Sequence, residues 1–234
     1  MKKWLLFGFI CVFGNVHAEG ENLEQYTTSV YTDHVQHFHK LFKQKKISTF
    51  LEFGLGEGTK YFVQHCDRVI SVELLCSDDR SWFERCQKEL IDYSNWEGIF
   101  VQAPDIIKEA NRVAHAPGNL LSKISYLKEL RDLCDEIFAQ FSLDTIDLVF
   151  VDLDIHLRGD LVNIMMEKNI PIVAAHDTNP PIHSHRFDKV TSHPQYKVFH
   201  FSKGAGLTLW VRKDCHDVIR CLQKTDCIPN GFKK

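Results

Sequence analysis

Thr49-Phe50-Leu51-Glu52-Phe53-Gly54-Leu55-Gly56-Glu57-Gly58 reads as a strand that ends on a glycine-rich turn and opens a helix. Without Cβ atoms the backbone turns tightly and approaches a ligand closely, at the crevice where α/β sheets bind ligands. A carboxylate follows about 20 residues on, at the end of the next strand, where it can accept both hydroxyls of a ribose. That residue is Glu73. The turn and the acid together predict a site for a nucleoside-type cofactor.

Working outward, short apolar runs alternate with longer amphipathic stretches. Strands are expected over 49–53, 69–73, 98–102, 146–152 and 171–175, and helices over 58–66, 79–92, 105–114, 120–140 and 159–168. Such alternation makes an α/β fold: a Rossmann-like, mostly parallel sheet with helices on both faces. The end differs. Runs over 196–201 and 207–212 flank Lys203-Gly204-Ala205-Gly206, which predicts a C-terminal antiparallel hairpin.

The segment 105–140 is longer than one crossover helix needs, and its Pro117-Gly118 break predicts two helices, a lid or substrate-selecting insertion. Upstream, residues 22–45 carry a helical stripe of Tyr26, Val30, Val35, Phe38, Leu41 and Phe42. His34, His37 and His39 are read there as a solvated helix face rather than a metal cluster. The tail after Asp214 is read as a surface helix and coil.

The 234-residue chain is 44% hydrophobic, enough for a sizeable core, and its formal charge of −3 gives no reason to expect nucleic acid. At the start, Lys2 and Lys3 precede an apolar run from Trp4 to Phe13, and Val16-His17-Ala18 offers small residues for cleavage after Ala18. The run is shorter than the ~20 residues of a bilayer span. This predicts a signal peptide and a secreted or periplasmic protein, with no stable membrane span after cleavage. The 8 cysteines include no C-x-x-C pair, which argues against a structural zinc site. Most are expected as small core residues, although Cys215, Cys221 and Cys227 stand close enough in sequence to pair. The expected organisation is a signal peptide over 1–18, a helical segment over 19–48, a Rossmann-like domain over 49–212 and a tail over 213–234.

The turn motif resembles that of the class I S-adenosylmethionine-dependent methyltransferases, an acid followed by G-x-G-x-G. Gly54, Gly56 and Gly58 fit it, whereas the G-x-G-x-x-G of dinucleotide dehydrogenases does not. The resemblance spans roughly 49–212, terminal hairpin included. It implies S-adenosylmethionine as cofactor, with Glu52 near the methionine end and Glu73 on the ribose. It also implies an acid after the third strand at the adenine, for which Asp105 in Val101-Gln102-Ala103-Pro104-Asp105 is the candidate.

A second acidic cluster ends the fourth and fifth strands, as Asp152-Leu153-Asp154-Ile155-His156 and His176-Asp177-Thr178. Parallel strands bring these ends to one edge, beside the glycine turn. Here the chain resembles the metal-dependent O-methyltransferase branch of the superfamily. That resemblance implies a divalent cation such as Mg²⁺ held by Asp152, His176 and Asp177, with Asp154 and His156 close behind. Mixed oxygen and nitrogen ligands suit such an ion, which would acidify a substrate hydroxyl. His156 is a candidate general base. The competing reading makes Asp154 a helix cap and His176-Asp177 a loop-stabilising pair. Arg158, His183, His185 and Arg186 are candidates to meet an anionic substrate.

The expected function is O-methyl transfer to a small molecule or sugar hydroxyl by an exported enzyme. The alternative is a non-catalytic secreted binding protein on the same fold, because the cofactor is made in the cytoplasm while the signal sends the chain out.

Overall fold

A computed structural model describes residues 32–114, 125–179 and 185–229, with Leu23 and Leu121. In chain order the strands are β1 (Thr49–Phe53), β2 (Arg68–Leu75), β3 (Trp96–Gln102), β4 (Leu148–Val151), β5 (Ile172–His176), β6 (Tyr196–Phe201), β7 (Leu207–Arg212) and β8 (Ile228–Pro229). The helices are α1 (Val35–Phe42), α2 (Thr59–His65), α3 (Ser81–Leu90), α4 (Asp105–Val113), α5 (Tyr126–Phe138), α6 (Arg158–Glu167) and α7 (His216–Leu222).

β1 is buried at every position because it pairs in parallel with β2 on one side and β4 on the other. A strand covered on both faces needs the near-continuous apolar run that Thr49–Phe53 provides. The sheet order is β3-β2-β1-β4-β5-β7-β6-β8. Strands β1 to β5 are mutually parallel, and β7 and β6 complete the sheet as the expected antiparallel pair. Successive residues of β1 serve opposite faces: Leu51 and Phe53 pack with α4, α5 and α6, while Phe50 packs with α1, α2 and α7. The chain leaves β1 towards β2 and returns at β4, so the order reverses between β1 and β4, where a crevice opens at the carboxyl ends.

Three expectations change. α1 starts at Val35, and His34 and His37 are each only 3% exposed. Positions 34, 37, 38 and 41 share the i, i+3, i+4, i+7 stripe, so both histidines face the core and not water. The tail helix is present as expected, but α7 is not a surface element, for it buries Val218, Ile219, Cys221 and Leu222, and β8 adds an eighth strand beside β6. Third, β2 runs past Glu73 to Leu75, which places Glu73 inside the strand and buries it. The two helices of the 105–140 insertion are present as α4 and α5; their Pro117-Gly118 break lies outside the described residues, as does the signal segment over 1–18. The seven described cysteines are free thiols, five of them buried. No described helix is long and apolar enough to cross a membrane.

Candidate functional site

A cavity of about 810 Å³ opens at the β1–β4 switch point. Its size lies within the roughly 300–1,000 Å³ of small-molecule and cofactor pockets. Glu52, the glycine turn, Glu73 and Trp82 line one part of it, and Asp152, Asp154, Arg158, His176, Asp177 and His185 line another.

The glycines of the turn serve different needs. Gly54 has φ +93°, and a Cβ there would lie 2.5 Å from the Asp152 carbonyl oxygen, so β1 and β4 can pass only over a bare backbone. At Gly58 a Cβ would lie 2.8 Å from His34 Nε2. Gly56 is open, its nearest neighbour being the Trp82 ring at 4.0 Å.

Glu52 points into the crevice from β1 and is 1% exposed. Its Oε1 accepts from Thr59 Oγ1 at 2.7 Å and Ser71 Oγ at 2.6 Å, and Ser71 in turn accepts from Trp96 Nε1 at 2.9 Å. Burial pushes its carboxyl up to about 8 despite these donors. Glu73 commits Oε2 to the Leu55 N–H at 3.0 Å, and burial raises it to about 7. Trp82 is held by a 2.8 Å hydrogen bond from Nε1 to the Leu55 carbonyl, with the Arg85 guanidinium 4.2 Å from its ring centroid.

At the other end, Asp152, His176 and Asp177 each bring a ligand-type atom within 4.8 Å of the others. His176 Nε2 donates to Asp33 Oδ1 at 2.8 Å, and its Nδ1 lies 3.4 Å from Asp152 and 3.7 Å from Asp177. Burial opposes charge on this ring, but the surrounding carboxylates outweigh it and raise His176 to about 10. Asp152 is correspondingly lowered to about 2, where the His176 and Arg158 charges overcome the burial that would raise it. Asp33 closes the chain by accepting the Ala205 N–H from the β6–β7 turn at 2.8 Å.

Arg158 enters this cluster from the start of α6. Its Nε donates to the Leu153 carbonyl at 2.5 Å, and its Nη1 donates to Asp152 Oδ1 at 2.9 Å and Asp177 Oδ2 at 2.8 Å. Asp177 adopts φ +57°, a left-handed conformation that aspartate tolerates better than most residues. The carboxylates a divalent ion would bridge therefore already share a guanidinium, and the set as arranged does not fit such an ion.

Asp105 is a correction. It heads α4 with its side chain fully exposed, 4.0 Å from Lys108, and does not line the cavity. His156 also stays off the wall: Asn111 Oδ1 accepts its backbone N–H at 2.7 Å, and its ring stacks on His185, which does line the cavity. Asp154 is exposed on the wall and caps no helix. Arg186 is taken up by Asp160 at 2.7 Å, and His183 lies outside the described residues. Sequence reasoning missed Asp33, Trp82 and the burial of His34, whose Nδ1 has no partner. Only His34 left a signal, in its place on the apolar stripe of α1.

No family model matches the chain, and no curated protein is similar to it in sequence. Solved structures are similar over most of the chain, at low sequence identity and TM-scores under 0.5. The methyltransferase PaMTH1 of Podospora anserina, bound to S-adenosylhomocysteine (SAH), is 12% identical, over 89% of this chain and 100% of that one, with a TM-score of 0.46. The O-methyltransferase TomG of Streptomyces achromogenes, in complex with S-adenosylmethionine (SAM), is 15% identical over 84% and 92%, at 0.47. Spermidine synthase of Thermotoga maritima is 14% identical over 83% and 62%, at 0.43. The chain itself has an α/β, Rossmann-like architecture, a mostly parallel sheet closed by an antiparallel C-terminal part.

Proposed function

We propose that this chain is an S-adenosylmethionine-dependent methyltransferase acting on a hydroxyl of a small molecule or sugar, exported as its first 18 residues predict. The observation that carries this reading is the single cavity that joins the glycine turn, Glu52 and Glu73 to the ends of β4 and β5. Glu73 and the open backbone at Gly56 would hold the adenosine, with Trp82 beside them, and Glu52 would face the cationic methionine end. When bound, the cofactor supplies an electrophilic methyl group.

The chain's own residues bind and orient. Asp154, His176, Asp177 and His185 form the wall an acceptor would meet. His176, pinned between carboxylates and raised to about 10, serves as a fixed hydrogen-bond donor and not as a base. His185 stays neutral, since burial and the Arg158 charge lower it to about 4.

Titration of the protein with S-adenosylhomocysteine by calorimetry tests the cofactor. Glu73→Ala should weaken binding by about 1.5–3 kcal/mol, as loss of hydrogen bonds to a charged group does. No binding by the wild type would refute the assignment and leave the secreted binding protein as the reading. Transfer of a labelled methyl group to a panel of hydroxyl acceptors then tests the reaction.

A further inference from the structure

The carboxylates of Asp152 and Asp177 converge on one nitrogen, Nη1 of Arg158, at 2.9 and 2.8 Å. A Mg²⁺ or Ca²⁺ ion shared by those oxygens would sit about 2.0–2.6 Å from each, in the space this nitrogen fills. The guanidinium has little freedom to leave. Its side chain is 7% exposed, and Nε is tied to the Leu153 carbonyl in the turn between β4 and α6.

The third member of the expected metal set is engaged as well. His176 would have to offer a ring nitrogen lone pair to an ion. Its Nε2 already lies 2.8 Å from Asp33, and its Nδ1 faces Asp152 and Asp177 at 3.4 and 3.7 Å. A cluster of acids needs cations near it, and this one obtains them from within the chain.

We propose that Arg158 is the resident cation of this site, a positioning residue that fixes Asp152 and Asp177 and excludes a divalent ion. Asp152 and Asp177 are then held in place without a divalent ion. This stands apart from the cofactor assignment, because it is read on the free protein with ions alone.

Mn²⁺ is the probe, followed by electron paramagnetic resonance and by thermal unfolding of the full chain. Wild type should leave the free-ion signal unchanged and show no shift in Tm with millimolar Mn²⁺ or with EDTA. Arg158→Ala uncovers the carboxylates. It should immobilise Mn²⁺ and gain about 5–10 °C in Tm at a hundredfold excess over Kd. Adding Asp177→Asn should abolish that gain, whereas Arg158→Lys, which keeps the charge, should bind no ion. A merely structural arginine would not convert into an ion site on removal. The proposal is overturned if wild type binds Mn²⁺ and Asp152→Asn releases it, or if folded Arg158→Ala ignores the ion. Should Arg158→Ala not fold, the wild-type resonance measurement decides alone: a free-ion spectrum supports the proposal and a bound one overturns it.

Discussion

Replacing Glu52 by glutamine should change how stability depends on pH while leaving the fold intact. Glu52 is 1% exposed, and burial lifts its carboxyl from 4.5 to about 8. The native protein therefore keeps a proton that the unfolded chain gives up above pH 4.5. Stability falls as pH rises from there and levels only above about 8. Between pH 6 and pH 8 this one group removes about 2 kcal/mol, at about 1.4 kcal/mol per pH unit within the window. A glutamine side chain at this position would mimic the protonated acid: its amide oxygen can accept from Thr59 and Ser71, as Oε1 does now. The two proteins should match only below about pH 4.5, and the variant's advantage over wild type should grow by about 2 kcal/mol between pH 6 and pH 8. For a chain of this size that is about 4–8 °C in Tm. Urea unfolding at both pH values measures it. Parallel losses in wild type and Glu52→Gln would refute the reasoning. The same group ties stability to binding: a cation beside Glu52 favours its ionised form, so cofactor binding near pH 7 should release more protons in wild type than in Glu52→Gln.

His37 buries two ring nitrogens without a partner against Phe201, and burial lowers it to about 4. Because the unfolded imidazole takes up a proton below pH 6.5, His37→Phe should stabilise by about 1–3 kcal/mol, and more at pH 5 than at pH 8; a loss of stability at pH 5 would sink this. Gly54→Ala forces a Cβ to 2.5 Å from the Asp152 carbonyl at φ +93° and should cost about 2–4 kcal/mol in denaturant unfolding. Gly56→Ala meets nothing closer than 4.0 Å and should spare stability while weakening S-adenosylhomocysteine binding, so equal unfolding losses in the two variants would contradict the division of roles.

The glycine end of the site was legible because backbone geometry dictates residue type there. A strand that passes another at Gly54 admits no side chain, and the constraint is written within ten residues of sequence. Glu73 was legible by spacing, since β1, α2 and β2 have set lengths. The far end was not. His176 finds Asp33 across 143 residues, between the end of β5 and the segment before α1. A polar contact of that kind leaves no periodicity in either segment. His34 and His37 show the opposite failure: their spacing placed them on the buried stripe, but residue type argued for water. Asp105 and His156 stood at plausible sequence positions, yet a helix start and a backbone hydrogen bond to Asn111 kept them off the cavity wall. β8, two residues long, is below what any pattern can reveal.

Charge at the acceptor end bears on which substrates can enter. Asp33, Asp152 and Asp177 supply three negative charges, and Arg158 and His176 supply two positive ones. Asp154 and Glu57 also line the cavity. Among the described residues, the cations that the sequence offered to an anionic substrate are spent or silent. Arg158 bridges two carboxylates, Arg186 pairs with Asp160, and His185 is held neutral. An anionic acceptor would enter against a net negative wall of low dielectric, where like charges repel most strongly. A neutral hydroxyl meets no such barrier, and a cationic sulfonium is drawn to the same wall. Under the proposed function, the charges of the described residues favour an uncharged acceptor over a phosphate or carboxylate, and they do so with charges the chain itself provides.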